Sequence, residues 1–179
     1  MEKKMLSVRT VAGIIIGSAL MFVLMRFIAL PSDIPDTDFQ IGIAVLSIFA
    51  AIFGPIAGFL IGFIGHTLVD LTKDGVWWSW VIADALYGLA IGVFWKFYRL
   101  EEGEFGIKQA VVFNGVQVTA NIIAWVGIAS TLDVLFFQVP SAEAYLQGLV
   151  AAALNILVVL ILGTLLGFAY SKSRTKAGR

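Results

Sequence analysis

The chain contains no cysteine and one histidine, His66. The first absence excludes a disulfide, a thiolate metal site and a cysteine nucleophile. The second excludes a multi-histidine metal centre within one chain. These residues imply no cofactor. Charge is also scarce. Only 13% of the 179 residues are charged, and twelve basic side chains cancel twelve acidic ones. That balance provides no electrostatic footprint for a nucleic-acid partner.

What is abundant is apolar side chain, at 60% of residues, with a mean hydropathy of +0.95. Soluble domains run at about 45–50% apolar and about a quarter charged. A chain this apolar could not keep its surface wet, and the bilayer is the simplest solvent for it. The apolar run after Met1-Glu2-Lys3-Lys4 continues to Leu30 with no small-residue cleavage site before Pro31. It reads as a retained helix rather than a secretory signal.

Polar, Pro and Gly punctuation divides the sequence into six candidate spans: 9–30, 39–53, 55–72, 77–98, 108–130 and 142–170. A helix needs about 20 apolar residues to cross a hydrocarbon core about 30 Å thick. The second and third spans are short and meet at Gly54-Pro55, so they could also form one broken helix. Charge placement decides the count. Lys3, Lys4 and Arg9 precede the first span, and Lys172, Arg174, Lys176 and Arg179 follow the last. By the positive-inside tendency both ends are cytoplasmic, which requires an even number of crossings. Six crossings also place Lys96, Arg99 and Lys108 inside. They leave outside the segment Pro31–Asp38, with Asp33, Asp36 and Asp38 and no base, and the base-free segment Thr131–Ser141. Only Lys73 departs from the pattern. The expected fold is therefore an all-α integral membrane protein, one domain, a six-transmembrane-helix bundle with cytoplasmic N and C termini.

Small residues at four-residue spacing recur in Gly13/Gly17, Gly88/Gly92, Gly163/Gly167 and the series Gly54, Gly58, Gly62. They let membrane helices approach closely. Most such pairs serve packing within the bundle. On the first helix, Gly13 and Gly17 also suit a docking face for another membrane protein.

Ionisable and amide groups in a bilayer are costly, about 2.5–3.5 kcal/mol for Asp or Arg at mid-helix. Here they gather in the outer half. His66 and Asp70 lie high on the third helix, and Trp77, Trp78, Trp80, Asp84 and Tyr87 lie in the outer half of the fourth. On the fifth, Asn114, Gln117 and Asn121 share a face about 60° wide, which Trp125 continues. Gln147 and Asn155 lie on the sixth, with Arg26 and Gln40 near the outer ends of the first two. A channel or proton relay would carry polar groups through the full depth, whereas a binding cup carries them on one side. The amides can donate and accept around a heteroaromatic ring or its hydroxyls, and the indoles can stack on it. Asp84 could pair with a ring nitrogen or hydroxymethyl group. No cluster of bases suits a phosphate, which points to an uncharged or weakly charged ligand. Structural readings stand beside these. Trp77 and Trp78 could be interface anchors, His66 and Asp70 an i,i+4 pair, and Arg26 a snorkelling cation or an ion-pair partner.

The segment Phe53-Gly-Pro-Ile-Ala-Gly-Phe-Leu-Ile-Gly-Phe-Ile-Gly-His66, with Asp70 and Trp77-Trp-Ser-Trp-Val-Ile82, resembles the S components of energy-coupling factor (ECF) transporters. It is closest to an uncharacterised subgroup placed with the riboflavin type. The resemblance spans essentially the whole chain. It implies a non-catalytic subunit of the bacterial cell membrane that captures a vitamin or precursor from outside. Its partners would be a transmembrane coupling protein and two cytoplasmic ATPases. It also implies that the loop after the first helix, here Pro31–Asp38, acts as a lid, and that a small-xxx-small motif on the first helix contacts the coupling protein. Gly13 and Gly17 stand where that family usually has alanines. The subgroup's links suggest pyridoxine-like or hydroxymethylpyrimidine-like cargo, with riboflavin or another heteroaromatic vitamin as the alternative.

Two rival classes remain. A stand-alone secondary transporter would be expected to show an inverted repeat, which the sequence does not. A membrane enzyme would need more than the His66/Asp70 pair for its chemistry.

Overall fold

The computed structural model describes residues 7–28, 40–73 and 75–177, with side chains through Arg174. The expected lid, Pro31–Asp38, lies outside the described residues, as do Lys3, Lys4 and Arg179.

The described residues are helical with no strand. Helix α1 spans Val8–Phe27, α2 Gly42–Phe53, α3 Pro55–Leu71 and α4 Trp78–Val93. Helix α5 is the continuous run Ile107–Phe136, and α6 runs Ser141–Arg174, apolar until its last turns. Three of these, α1, α5 and α6, are long and apolar enough to cross a membrane. Helices α2, α3 and α4 are shorter, at 12, 17 and 16 residues.

Local chemistry sets the boundaries. Ser7 caps α1, its Oγ accepting the Thr10 N–H at 3.1 Å, the usual way to satisfy a free amide at a helix start. Gly54 separates α2 from α3 with φ +90°, a left-handed value that glycine adopts without steric cost. Pro55 opens α3 at its first position, where its missing N–H costs nothing. The second and third spans are thus two helices. The fourth span breaks at Phe94 and resumes as the one-turn helix Trp95–Tyr98, ending at Arg99 with φ 53°.

Helix α5 corrects the expected boundary at residue 130. It runs on to Phe136, taking in Asp133, because no glycine or proline interrupts it before Gln138, φ 57°, and Pro140. Two stretches, Ile122–Ala129 in α5 and Val159–Gly163 in α6, have wider i→i+5 turns. Such widening is rare and frequent near functional sites.

Glycines let α3 and α4 touch backbone to backbone. A Cβ on Gly58 would stand 2.2 Å from the Gly88 carbonyl oxygen, and one on Gly62 2.4 Å from that of Asp84. Large apolar side chains face outward, among them Val8, Ile15, Ile107, Val111 and Leu135. An apolar exterior of this extent is a surface for lipid or protein, not water.

The two ends of the bundle differ. At one, the Arg9 guanidinium grips Glu101 at 2.5 and 2.7 Å, and Tyr170 donates to the same carboxylate. Arg99 pairs with Glu104 at 2.5 Å. Burial works to raise the pKa of Glu101, but hydrogen bonds from Arg9 and Tyr170 outweigh it and hold the carboxyl below its ordinary value. The other end carries the polar cavity.

A polar cavity at one end of the bundle

The C-terminal ends of α1 and α3, the N-terminal ends of α2, α4 and α6, and the widened part of α5 converge on a cavity of about 540 Å³. Its polar lining includes His66, Asp70, Lys73, Glu143, Gln147 and Asn155, and its aromatic lining is Trp77, Trp80 and Trp125. Trp80 and Trp125 meet edge to face, 5.1 Å between ring centres. Phe137 stacks on Trp77 at 4.5 Å.

Of ten residues expected to meet the ligand, His66, Asp70, Trp80, Asp84, Tyr87, Asn114, Gln117, Asn121, Gln147 and Asn155, the structure brings five to this lining: His66, Asp70, Trp80, Gln147 and Asn155. His66 is tied down on both sides. Its Nδ1 lies 2.7 Å from Asp84 Oδ2 and its Nε2 3.6 Å from Asp70 Oδ1. Asp70 also accepts the Trp77 backbone N–H at 2.9 Å. The i,i+4 pairing of His66 with Asp70 is therefore real, but the closer partner is Asp84 on the neighbouring helix.

The other five lie behind the lining. Asp84 is fully buried beneath His66. Tyr87 is 2.7 Å from Ser47 Oγ, and Ser47 donates to the Ile43 carbonyl, so the tyrosine hydroxyl is the donor in that chain. The amide face of α5 forms a ladder inside the bundle. Asn121 donates to the Gln117 backbone and side-chain oxygens at 3.0 and 3.1 Å, and Gln117 donates to Asn114 Oδ1 at 3.3 Å and Ile156 O at 3.4 Å. Asn114 donates to Thr164 at 2.9 Å. Through Gln117 and Asn114 these amides join α5 to α6, meeting donors and acceptors that lipid could not supply. The wide turns after Asn121 bring Trp125, by contrast, to the cavity.

The chain matches the family model of the ECF-type riboflavin transporter S component over residues 5–172. It is 43% identical to a UPF0397 protein of Lacticaseibacillus casei (strain BL23), covering 99% of this chain and 96% of that one. A UPF0397 protein of Clostridium perfringens (strain SM101 / Type A) is 45% identical over 99% and 97% of the two chains. A third, of Staphylococcus aureus (strain MRSA252), is 42% identical with the same coverage. No solved structure matches.

The chain belongs to the ECF S-component family. It is thus a bacterial membrane transport component, the substrate-binding subunit of an ECF transporter, in a family of transporter parts rather than enzymes. Within this S component, sequence reasoning passed over Asp133, placed then in an external loop. It is buried, and its carboxylate accepts from Trp77 Nε1 at 2.7 Å, from Trp80 Nε1 at 2.8 Å and from Ser79 Oγ. Glu143 was passed over as well. A carboxylate among tryptophans was the signal available for Asp133, but it is read only once α5 is known to continue.

Gly13 and Gly17 are buried on α1. A Cβ at Gly13 would meet the Phe53 ring at 2.7 Å, and one at Gly17 would meet Phe49 and Ile61 at 2.8 Å. Their small size is used within the chain, against α2 and α3. Gly13 also borders an apolar groove between α1, α2 and α6, with Ile16, Leu20 and Leu166.

Proposed function

We propose that this S component spans the membrane six times with both ends cytoplasmic and captures a heteroaromatic vitamin or precursor in the tryptophan-walled cavity. The carrying observation is the one-sided placement of that cavity. Trp77, Trp80 and Trp125 and the polar side chains gather at the end of the bundle opposite the Arg9–Glu101 cluster. Positive-inside bias puts the basic end in the cytoplasm and so opens the cavity outward. A volume of about 540 Å³ lies in the range of small-molecule sites. It suits a small hydroxylated pyridine or pyrimidine, pyridoxine-like or hydroxymethylpyrimidine-like. Riboflavin, the cargo in the family's name, is the alternative. The cargo passes inward through an ECF module of a transmembrane coupling protein and two ATPases, docked along the exposed apolar face of α1 beside Gly13.

The test is a tryptophan-fluorescence titration of the purified protein in detergent. The panel holds pyridoxine, hydroxymethylpyrimidine, thiamine, riboflavin and an unrelated amino acid. Saturable quenching by one vitamin, weakened in Trp80→Ala, supports the reading and names the cargo. Silence across the panel from folded protein removes these cargoes.

A further inference from the structure

Asp133 is a buried carboxylate with three donors and no basic partner among the described residues. Two of the donors are the indole N–H groups of Trp77 and Trp80, both of which line the cavity. An indole whose N–H is bonded to an anion is pinned in orientation, and electron density is pushed onto its ring. A richer π face attracts cations more strongly. The surrounding charge has the same sense. Among the described residues, those facing the cavity or lying directly behind it include four carboxylates, Asp70, Asp84, Asp133 and Glu143. The bases there are His66 and Lys73. Arg26, at the end of α1, is turned to Thr72, its Nε 3.0 Å from Oγ1. Even with His66 protonated, acids exceed bases around the cavity among the described residues.

We propose that Asp133 is a positioning residue that sets ligand class: through Trp77 and Trp80 it selects a cationic heteroaromatic ring, N-protonated or N-alkylated, over its neutral counterpart. This rests on the ligand-binding reading of the cavity and narrows its substrate. The carboxylate need not touch the ligand. Ser79, one residue before Trp80, holds the carboxylate in place through its hydroxyl, so both indoles share one anchor. Phe137 covers one face of Trp77 and leaves the other for a ring.

The experiment is calorimetric titration of the full chain in detergent with 4-amino-5-hydroxymethyl-2-methylpyrimidine and its N-methylated cation. The cation is expected to bind about tenfold more tightly, between the scales of an exposed and a desolvated cation–π contact. Asp133→Asn should weaken the cation several-fold more than the neutral ring, erasing most of that preference, and Asp133→Glu should restore part of it. Trp80→Phe removes one N–H to Asp133 but keeps an aromatic wall, and it should also lower the preference. It serves if Asp133→Asn fails to fold. A merely structural Asp133 would weaken both rings by the same factor, and that result overturns the proposal. So does equal or tighter binding of the neutral ring, which leaves the heteroaromatic-binding function standing. Binding of neither ring by folded protein overturns this proposal too, and riboflavin binding in the same preparation then shows whether the wider reading survives.

Discussion

His66 Nδ1 lies 2.7 Å from Asp84 Oδ2, between α3 and α4. The approach is possible because Gly62, one turn before His66, lets the Asp84 carbonyl come within a distance that any Cβ would block. A packing feature and a polar feature are therefore one arrangement. The glycine brings the helices together, and the His66–Asp84 pair occupies the contact just above it, at the floor of the cavity.

Removing one partner of that pair strands the other. His66→Ala leaves the Asp84 carboxylate buried with no donor, which in buried pairs costs about 3–5 kcal/mol. Asp84→Asn keeps the shape and an acceptor and should cost less. Thermal unfolding in detergent checks the order, with His66→Ala unfolding at the lower temperature.

The Gly58–Gly88 contact admits no side chain on either helix. Gly58→Ala and Gly88→Ala should each destabilise by about 1–3 kcal/mol, the cost of overpacking. Gly115→Ala, where a Cβ would meet nothing within 4 Å, should be tolerated. A fluorescence size-exclusion melting series compares the three.

The amide ladder on α5 predicts a stability effect. Asn121→Ala removes the donor to Gln117, within the same helix, and should destabilise by about 0.5–1.5 kcal/mol, the net scale of an intramolecular hydrogen bond. Ligand affinity should fall less than in Trp80→Ala, since Asn121 lies behind the lining. Paired unfolding and titration measurements separate the two effects.

Acid should loosen the opposite end. The Glu101 carboxyl is held below its ordinary 4.5 by Arg9 and Tyr170, against the opposing pull of burial. A depressed folded value means stabilisation that is present above 4.5 and lost as pH falls through the lower folded value. Wild type should therefore lose more stability between pH 6 and pH 3 than Glu101→Gln, as read from melting temperature.

Much of this was legible in the linear sequence. Gly54-Pro55 marked a helix junction, and the glycine series marked close packing. His66, Asp70 and Trp80 were picked out because polar groups in an apolar run are costly. What was not legible lies in features that periodicity does not carry. Asn114, Gln117 and Asn121 share one face by spacing, but spacing cannot say whether that face meets a cavity or a neighbouring helix. Asp133 looked like loop because Thr131–Ser141 is more polar than the run before it, yet the helix continues until Gln138 and Pro140 end it.

The sequence by itself determined the solvent and the polarity of the chain. An excess of apolar residues demands a bilayer, and bases cluster at one set of helix ends, because both features sum over composition and position along the chain. Only the tertiary structure decided which polar groups line the cavity and which serve as internal bonds. That choice depends on the rotation of each helix about its axis, set by Gly58 against Gly88, by Gly62 against Asp84 and by the widened turns of α5 that carry Trp125 inward. Those rotations arise from contacts between residues far apart in the chain, such as Asp133 with Trp77 and Trp80, and no local pattern encodes them.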